Sequence, residues 1–295
     1  MSQATLRSEI EDLWQRYQDD EMDAESAGAD AADTLEAFLD ALEAGEVRAA
    51  EKSGSAERSS TGSRTTSENG EWEANEWVKE GILLNFGLRE TEAREYGGVR
   101  YHDVVPLRDT ADLGERGTRN TPDGTTIRRG AYLGEDCIVM SPSFVNVGAS
   151  VGDGTLVDSA DTVGSCAQVG ENVKLGANTL IGGVLEPVED APVIVEDDVS
   201  LGAGCRVTSG FVVGEGSVVG ENTLLTPRIP VYDLVEEEVI YGELPPKRRA
   251  FTRFVESSVG EHDLFDGGAY KPAVVATSIE QETLEAAAKE DTLRE

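Results

Sequence analysis

The sequence predicts a mainly β protein whose central part is a parallel β-helix of hexapeptide repeats. A branched aliphatic residue recurs at every sixth position from Ile127 to Ile181 and again from Val195 to Val231. The residue four places further on is mostly small, and the residue directly after the aliphatic is usually glycine. A strict six-residue period is typical of a β-helix and fits neither an α-helix nor an amphipathic strand. We therefore expect each aliphatic side chain to point inward and to stack on the next coil.

An α-helical domain over residues 1–114 is predicted to precede the repeats. Large apolar residues lie three or four positions apart in Thr5–Tyr17 and in Thr34–Leu42, which is typical of amphipathic helices. A third helix is predicted to open at the tryptophans that begin with Trp72 and to continue to Phe86.

Two segments interrupt this organisation. Residues 53–69 are rich in serine, threonine and glycine, and this low-complexity insert predicts a mobile loop. Residues 187–194 contain two prolines and break the phase of the hexads, so we expect them to leave the coil as a loop. Repeat proteins place such insertions on one face, often the binding face, although a surface loop without function is the alternative.

The repeats themselves predict a domain over residues 115–232, followed by a small α/β region over residues 233–295. Within that last region a β-rich segment is expected at Ala273–Ile279, followed by a terminal helix at Glu280–Leu293.

Charge is the most unusual feature of the composition. Acidic residues number 58 and basic residues 25, which gives a formal net charge of −33. Such a charge repels nucleic acids and anionic membranes, so neither is expected as a partner. Disorder would be one interpretation, but the regular aliphatic repeat favours an acidic surface suited to a high-salt, halophile-like cytoplasm. The chain has no apolar leader and no long apolar run, so a soluble, cytoplasmic protein is predicted.

The residue after the inward aliphatic is normally glycine, but Asn146 and Asp158 occupy that position instead. Asp158 fits two roles, a corner cap that bonds backbone N–H groups or a carboxylate that orients or deprotonates an amine. Asn146, Gly164 and Gly182 are spaced by 18 residues and should stack in one column, whereas Asp158 falls on the adjoining face. A site that used both faces would be most natural where two subunits meet.

The repeat region contains no histidine, since only His102 and His262 occur in the chain. A coil histidine is therefore not available as general base, nor to activate Cys166 for covalent catalysis. Three cysteines without a CxxC spacing predict neither a disulfide framework nor a metal site. Asp161 stands at an inward position, where an unpaired carboxylate would be costly.

Several of these segments together resemble the tetrahydrodipicolinate N-succinyltransferase family of hexapeptide-repeat acyltransferases. The resemblance is carried by Ile127–Tyr132, Met140–Asn146, Val157-Asp158, Thr162–Gln168 and Gly182–Pro187. Weaker similarity extends over nearly the whole chain. The combination is specific, whereas any single hexad would not be.

The resemblance implies a homotrimer of left-handed β-helices with active sites between neighbouring subunits. It implies transfer of succinyl from succinyl-CoA, a co-substrate, to the amine of ring-opened tetrahydrodipicolinate in lysine and diaminopimelate biosynthesis, without a permanently bound cofactor or metal. Asp158 then becomes the first choice for the catalytic residue, and Arg119 matches a substrate-binding arginine through an alignment that needs one extra residue. Asn146 and Ser165 are assigned to the substrate, and Gly183 to the CoA.

Arg206 is a departure from the family pattern, because it replaces an acid held to take part in catalysis. We expect it to engage a carboxylate of the acyl or acceptor group, with a solvent-facing arginine as the alternative. Lys247, Arg248 and Arg249 form the densest basic cluster and are candidates for the CoA phosphates, or simply a solubilising run. Rival functions are an acetyl-CoA-dependent acyltransferase on the same or another amine, and a non-catalytic hexapeptide-repeat scaffold.

Overall fold

The computed structural model describes residues 1–52, 64–67, 70–96, 98–122, 124–188, 190–257 and 269–280. Nearly all of the predicted terminal helix and most of the 53–69 insert lie outside these residues. Within the described residues, no helix is at once long and apolar enough to span a bilayer.

The hexads wind a left-handed triangular prism with three parallel walls, as predicted. Equivalent strands in successive coils are in register, mostly 18 residues apart, so that Val145 pairs with Val163 and Val163 with Ile181. The first wall comprises Thr126–Ile127, Phe144–Val145, Thr162–Val163, Leu180–Ile181, Arg206–Val207 and Leu224–Leu225. The second wall comprises Tyr132–Leu133, Ser150–Val151, Gln168–Val169, Ile194–Val195, Val212–Val213 and Glu243–Leu244.

The third wall comprises Arg119–Asn120, Ile138–Val139, Leu156–Val157, Lys174–Leu175, Ser200–Leu201, Val218–Val219 and the long strand Arg248–Ser257. It is extended at its far end by Ala269–Ser278, Val231–Asp233 and Glu238–Ile240. Apart from the first rung, Arg119–Asn120, each rung directs one aliphatic side chain inward, and every predicted inward aliphatic from Ile127 to Val231 is buried. Each such side chain contributes about 1.5–3 kcal/mol, so the stacked column is the main source of stability.

The end of the prism differs from the prediction. Val231 was expected to be the last rung, but it pairs with Val274 and Ile240 in a hairpin that closes the end of the prism. The second wall is completed instead by Glu243–Leu244, which pairs with Val212–Val213. The coil therefore continues beyond residue 232, and its last inward residue is Ala250.

The N-terminal region contains the helices α1 (Gln3–Gln18), α2 (Gly28–Glu43) and α3 (Glu76–Gly87). Their facing sides form an apolar cluster that includes Phe38 and Ile82. The other elements are the strands Ala50–Lys52, Arg64–Ser67, Gly70–Ala74, Glu92–Tyr96 and Val99–Asp103 and the 3-10 turn Ala111–Gly114.

Trp72 does not open the third helix as predicted, since it lies on the strand Gly70–Ala74. Its position has a physical reason: the indole Nε1 donates to Glu196 on the prism at 3.0 Å. Glu196 also accepts from Lys52 Nζ at 2.9 Å and from the Glu215 N–H at 3.0 Å. Burial alone would raise the pKa of the Glu196 carboxyl, but these bonds together lower it. The buried carboxylate thus holds the N-terminal sheet on the second wall.

This docking leaves the three walls unequal. The outward residues Gln168, Ile194 and Val212 of the second wall are buried beneath the N-terminal region. By contrast, outward residues of the other two walls are partly exposed, and Leu224 on the first wall is 39% exposed. The first and third walls are therefore the ones available to another molecule.

Candidate active site

The residues that break the repeat lie along two edges of the prism. The Asp158 edge is the corner where the third wall turns into the first, and the Asn146 edge is the corner where the first wall turns into the second. The column of Asn146, Gly164 and Gly182 predicted from the 18-residue spacing is confirmed by the pairing of the preceding strands. The two edges lie at opposite ends of the first wall, six residues apart along the chain, which spans at most about 20 Å.

Asp158 forms the corner cap that was one of the two roles left open by the sequence. Its Oδ1 accepts a hydrogen bond from the Ser159 N–H at 2.6 Å, which is a corner cap. Its side chain is only half-buried, and Oδ2 has no hydrogen-bond partner among the described residues. The second oxygen is therefore available to accept a proton or an N–H from a ligand.

Asp161 lies three residues further on and points into the prism, where it is 1% exposed. Burial raises the pKa of its carboxyl to about 8, so that it is mostly protonated at neutral pH. Its Oδ1 accepts from the Thr179 N–H at 2.7 Å, just as the Ser143 hydroxyl one coil earlier accepts from the Asp161 N–H at 3.2 Å. Neutral Asp161 thus takes the place of a serine or threonine in a ladder of inward polar residues.

The Asn146 edge brings together three residues that the sequence assigned to ligands. Asn146 lies one coil before Ser165, and the Ser165 carbonyl accepts from the Val184 N–H at 3.2 Å. Ser165 is almost buried in one copy of the chain, whereas Gly183 is exposed. A Cβ on Gly164 would lie 2.2 Å from the Gly183 nitrogen, so the two backbones are in direct contact.

A loop leaves the prism directly after this column, which confirms the predicted interruption. Residues 182–193 separate the strands Leu180–Ile181 and Ile194–Val195. Lys79 of α3 is fully buried, and its Nζ donates to the carbonyl of Asp190 in this loop. Helix α3 therefore holds the loop that begins at the candidate ligand edge.

The structure also locates the predicted arginines on the prism. Arg206 is exposed on the first wall, between the two edges, and its Nη1 donates to the Gly204 carbonyl at 2.6 Å. Arg119 is exposed on the first strand of the third wall. Neither one lies on the Asn146 edge.

The basic cluster divides into two kinds of residue. Arg248 is 13% exposed and its guanidinium binds the buried Asp233 through contacts of 2.9 and 3.0 Å, which makes it part of the structure. Lys247 and Arg249 are exposed, and their nearest carboxylates, on Glu215 and Glu280, lie at 3.9 and 3.8 Å.

One residue that the sequence interpretation missed is Arg128. It stands 18 residues before Asn146 in the same column, and its Nη1 donates to Asn146 Oδ1 at 3.2 Å. The 18-residue spacing was sufficient to place it at the foot of this edge.

Comparison with known proteins places the chain in a family. Residues 5–88 match the family model of the tetrahydrodipicolinate N-succinyltransferase N-terminal region, and residues 192–227 match that of the hexapeptide repeat of succinyl-transferase. The 2,3,4,5-tetrahydropyridine-2,6-dicarboxylate N-succinyltransferase of Polynucleobacter asymbioticus is 34% identical over 300 residues and covers 100% of each chain. The chain belongs to this N-succinyltransferase family. The enzyme of the same name from a Methylobacterium species is 36% identical over 252 residues, 83% of each chain.

The predicted resemblance, fold class and acyltransferase class are confirmed by this membership. Among solved structures, a hexapeptide transferase family protein from Anaplasma phagocytophilum matches 68% of this chain and 91% of its own. That match has 14% identity and a TM-score of 0.42.

Proposed function

We propose that this member of the N-succinyltransferase family transfers succinyl from succinyl-CoA to the amine of ring-opened tetrahydrodipicolinate, in lysine and diaminopimelate biosynthesis. The observation that carries the proposal is the full-length similarity to enzymes of that name, combined with the half-buried carboxylate of Asp158 and the glycine-lined Asn146 edge. Succinyl-CoA would act as a co-substrate, with no permanently bound cofactor.

The chemistry requires a positioned amine and one proton acceptor. The amine nitrogen attacks the thioester carbonyl carbon, a C–N bond forms and the C–S bond breaks. Asp158 Oδ2 accepts the proton that the amine loses, because Oδ1 is already engaged by the Ser159 N–H. The CoA sulfur leaves as a thiolate and takes up a proton from water.

The active site would be shared between subunits of a homotrimer. Asp158 and the Asn146 edge lie at opposite ends of the first wall in one copy, so groups on the two edges do not converge on one reacting centre within that copy. The partly exposed first and third walls flank the Asp158 edge and supply the surface through which a neighbouring copy would bring its Asn146 edge close.

The remaining assignments follow from exposure and charge. Arg119 and Arg206 are exposed and would bind carboxylates of the substrates, since guanidinium binds a carboxylate through two hydrogen bonds. Along the Asn146 edge, Ser165 would contact the substrate and Gly183 would line the path of the CoA arm. Lys247 and Arg249 would bind CoA phosphates, whereas Arg248 is held by Asp233 and would contribute by positioning its neighbours.

The cellular setting is also part of the proposal. With 58 acidic and 25 basic residues, the surface is suited to a cytoplasm of high ionic strength, where repulsion between carboxylates is screened.

A mixing experiment tests both the catalytic residue and the shared site. Asp158→Asn and Asn146→Asp subunits, each expected to be poorly active alone, are co-refolded in equal amounts. Each shared site needs a wild-type Asp158 from one subunit and a wild-type Asn146 from its neighbour. In random trimers about a quarter of the interfaces combine the two, so about a quarter of the wild-type rate should return. No recovery would contradict the shared site, and full activity of Asp158→Asn alone would contradict its catalytic role.

Thiol release separates the proposed reaction from its rivals. The proposed enzyme releases CoA from succinyl-CoA only when tetrahydrodipicolinate is present, and faster than from acetyl-CoA. Faster release from acetyl-CoA would support the acetyl-transferring alternative. No acceptor-dependent release from either donor would support a scaffold.

A further inference from the structure

Arg128 lies at the foot of the Asn146 edge and is held from several sides. Its Nη2 binds Asp103 Oδ2 at 2.6 Å, its Nη1 donates to Asn146, and its guanidinium carbon lies 5.2 Å from the centre of the Phe86 ring. The side chain is 11% exposed. Asp103 is itself fixed, because its Oδ1 accepts from the Val104 N–H at 2.8 Å.

These contacts determine which way the Asn146 amide is turned. Its Oδ1 faces two groups that can only donate, the Val147 N–H at 2.9 Å and Arg128 Nη1 at 3.2 Å. A flipped amide would place its NH₂ against two donors, which leaves three polar groups without partners. The Asn146 amide is therefore locked with its oxygen toward Arg128.

The locked orientation leaves the NH₂ group of Asn146 as the free end of the side chain. It has no hydrogen-bond partner among the described residues. The next positions along the column are Gly164 and Gly182, which have no side chains to cover it. A half-buried amide donor thus lies at one end of a column of glycines, where it can meet an oxygen acceptor.

We propose that Arg128 is a positioning residue that holds the Asn146 amide so that its NH₂ donates to a carbonyl or carboxylate oxygen of a substrate. This inference rests on the proposed function, because the oxygen belongs either to the acyl-CoA donor or to the dicarboxylate amine. It adds a residue that touches no substrate itself and acts through Asn146.

The first test replaces the donor while keeping the lock. In Asn146→Asp, one carboxylate oxygen still accepts from Arg128 and Val147, so the fold is retained, but the free end becomes an anionic acceptor. We expect the dissociation constant of one substrate to rise at least about 10-fold, through the lost hydrogen bond and the added repulsion. Titration calorimetry with succinyl-CoA, with free CoA and with 2-aminopimelate shows which ligand carries the oxygen. Unchanged binding of all three would overturn the proposal.

The second test is a double-mutant cycle. Arg128→Met should weaken the same ligand about 3–10-fold in the wild-type background and have no effect in the Asn146→Ala background, because the amide it orients is gone. Equal losses in both backgrounds would show a merely structural role and overturn the proposal. Arg129→Met is the matched control, since Arg129 pairs with Glu36, Asp40 and Glu43 and has no bond to Asn146.

Binding is measured without turnover, so failure of the proposed reaction is distinguishable from failure of this inference. If wild-type protein binds CoA but transfers no succinyl group to tetrahydrodipicolinate, the proposed function fails while the cycle still decides the role of Arg128.

Discussion

At the scale of single residues, Asp161 makes the stability of the prism core depend on pH. Its carboxyl is buried beneath the Asp158 edge, and its Oδ2 has no hydrogen-bond partner in the part of the chain that the structure describes. In the same ladder the Ser143 hydroxyl both accepts from the next coil and donates to the Asp158 carbonyl at 2.8 Å. Asp161 reproduces the accepting function through Oδ1, and ionisation would place a charge on the unpartnered Oδ2 in the core.

Asp161 therefore predicts that stability falls as the pH rises. Burial raises its pKa to about 8 in the folded protein, above its ordinary value of 3.8, so the folded state retains a proton that the unfolded chain loses. The free energy of unfolding should decrease by up to about 1.4 kcal/mol per pH unit between pH 4 and 8 and level off above. Asp161→Thr keeps the ladder without the carboxyl. In denaturant titrations from pH 5.5 to 9, the free energies of unfolding of the wild type and of Asp161→Thr should diverge as the pH rises. Parallel plots of the free energy of unfolding against pH would contradict this explanation.

Gly164 provides a steric prediction beside the same site. A Cβ there would lie 2.2 Å from the Gly183 nitrogen, and backbone must move to admit it. We expect Gly164→Ala to lower the free energy of unfolding by about 1–3 kcal/mol and to weaken CoA binding. Gly220 occupies the same hexad position, but its nearest contact to an added Cβ is 3.5 Å. Gly220→Ala is therefore the control, and equal effects of the two changes would refute the steric explanation.

The sequence correctly predicted the positions of single residues where the 18-residue spacing places them in one column of the prism. The spacing of Asn146, Gly164 and Gly182 was sufficient to stack them, because each coil repeats the same geometry. It could not predict that Arg248 is held by Asp233 or that Asp103 holds Arg128. Those pairs depend on hairpins whose path over the prism no local pattern encodes.

At the scale of elements, the loop after the Asn146 edge depends on helix α3. Lys79 is fully buried and donates to the Asp190 carbonyl, so a charge in the helix fixes a loop 111 residues away. Lys79→Met keeps the length of the side chain but removes the donor. We expect a loss of about 1–3 kcal/mol and faster proteolytic cleavage within residues 186–190. Lys271→Met, at an exposed lysine, is the matched control. Unchanged cleavage in Lys79→Met would show that the bond does not restrain the loop.

The elements that the sequence misassigned share a cause. The sequence around Trp72 is typical of the start of a helix, but Trp72 lies on a strand, where its indole N–H donates to Glu196. Val231 falls on the six-residue count but lies in a hairpin, and Leu244 takes its wall position. In both cases tertiary contacts override a local sequence pattern. The side chain of Val231 would be buried both as a rung of the coil and in the hairpin, so its aliphatic character does not distinguish the two.

At the scale of the whole molecule, two features oppose each other. Stacked aliphatic rungs hold the prism together by apolar burial, whereas the charges that give a formal net charge of −33 repel one another. The acidic excess is not neutralised within the chain, because it contains 25 basic residues and 58 acidic ones. Some arginines are moreover committed to several carboxylates at once, as Arg129 is to Glu36, Asp40 and Glu43.

Repulsion on this scale predicts that salt stabilises the protein and that the effect saturates. Raising the salt from 0.1 to 1 M shortens the Debye length from about 10 to about 3 Å, so repulsion between surface carboxylates is largely screened. The melting temperature should therefore climb steeply at low salt and flatten toward 1 M in thermal unfolding followed by circular dichroism. Sucrose at matched osmolality is the control, since excluded solutes stabilise without screening and their effect keeps rising. A melting temperature that is flat or falling with salt would mean that the charges are already balanced locally by pairs such as those of Arg129, and that the acidic surface does not destabilise the fold.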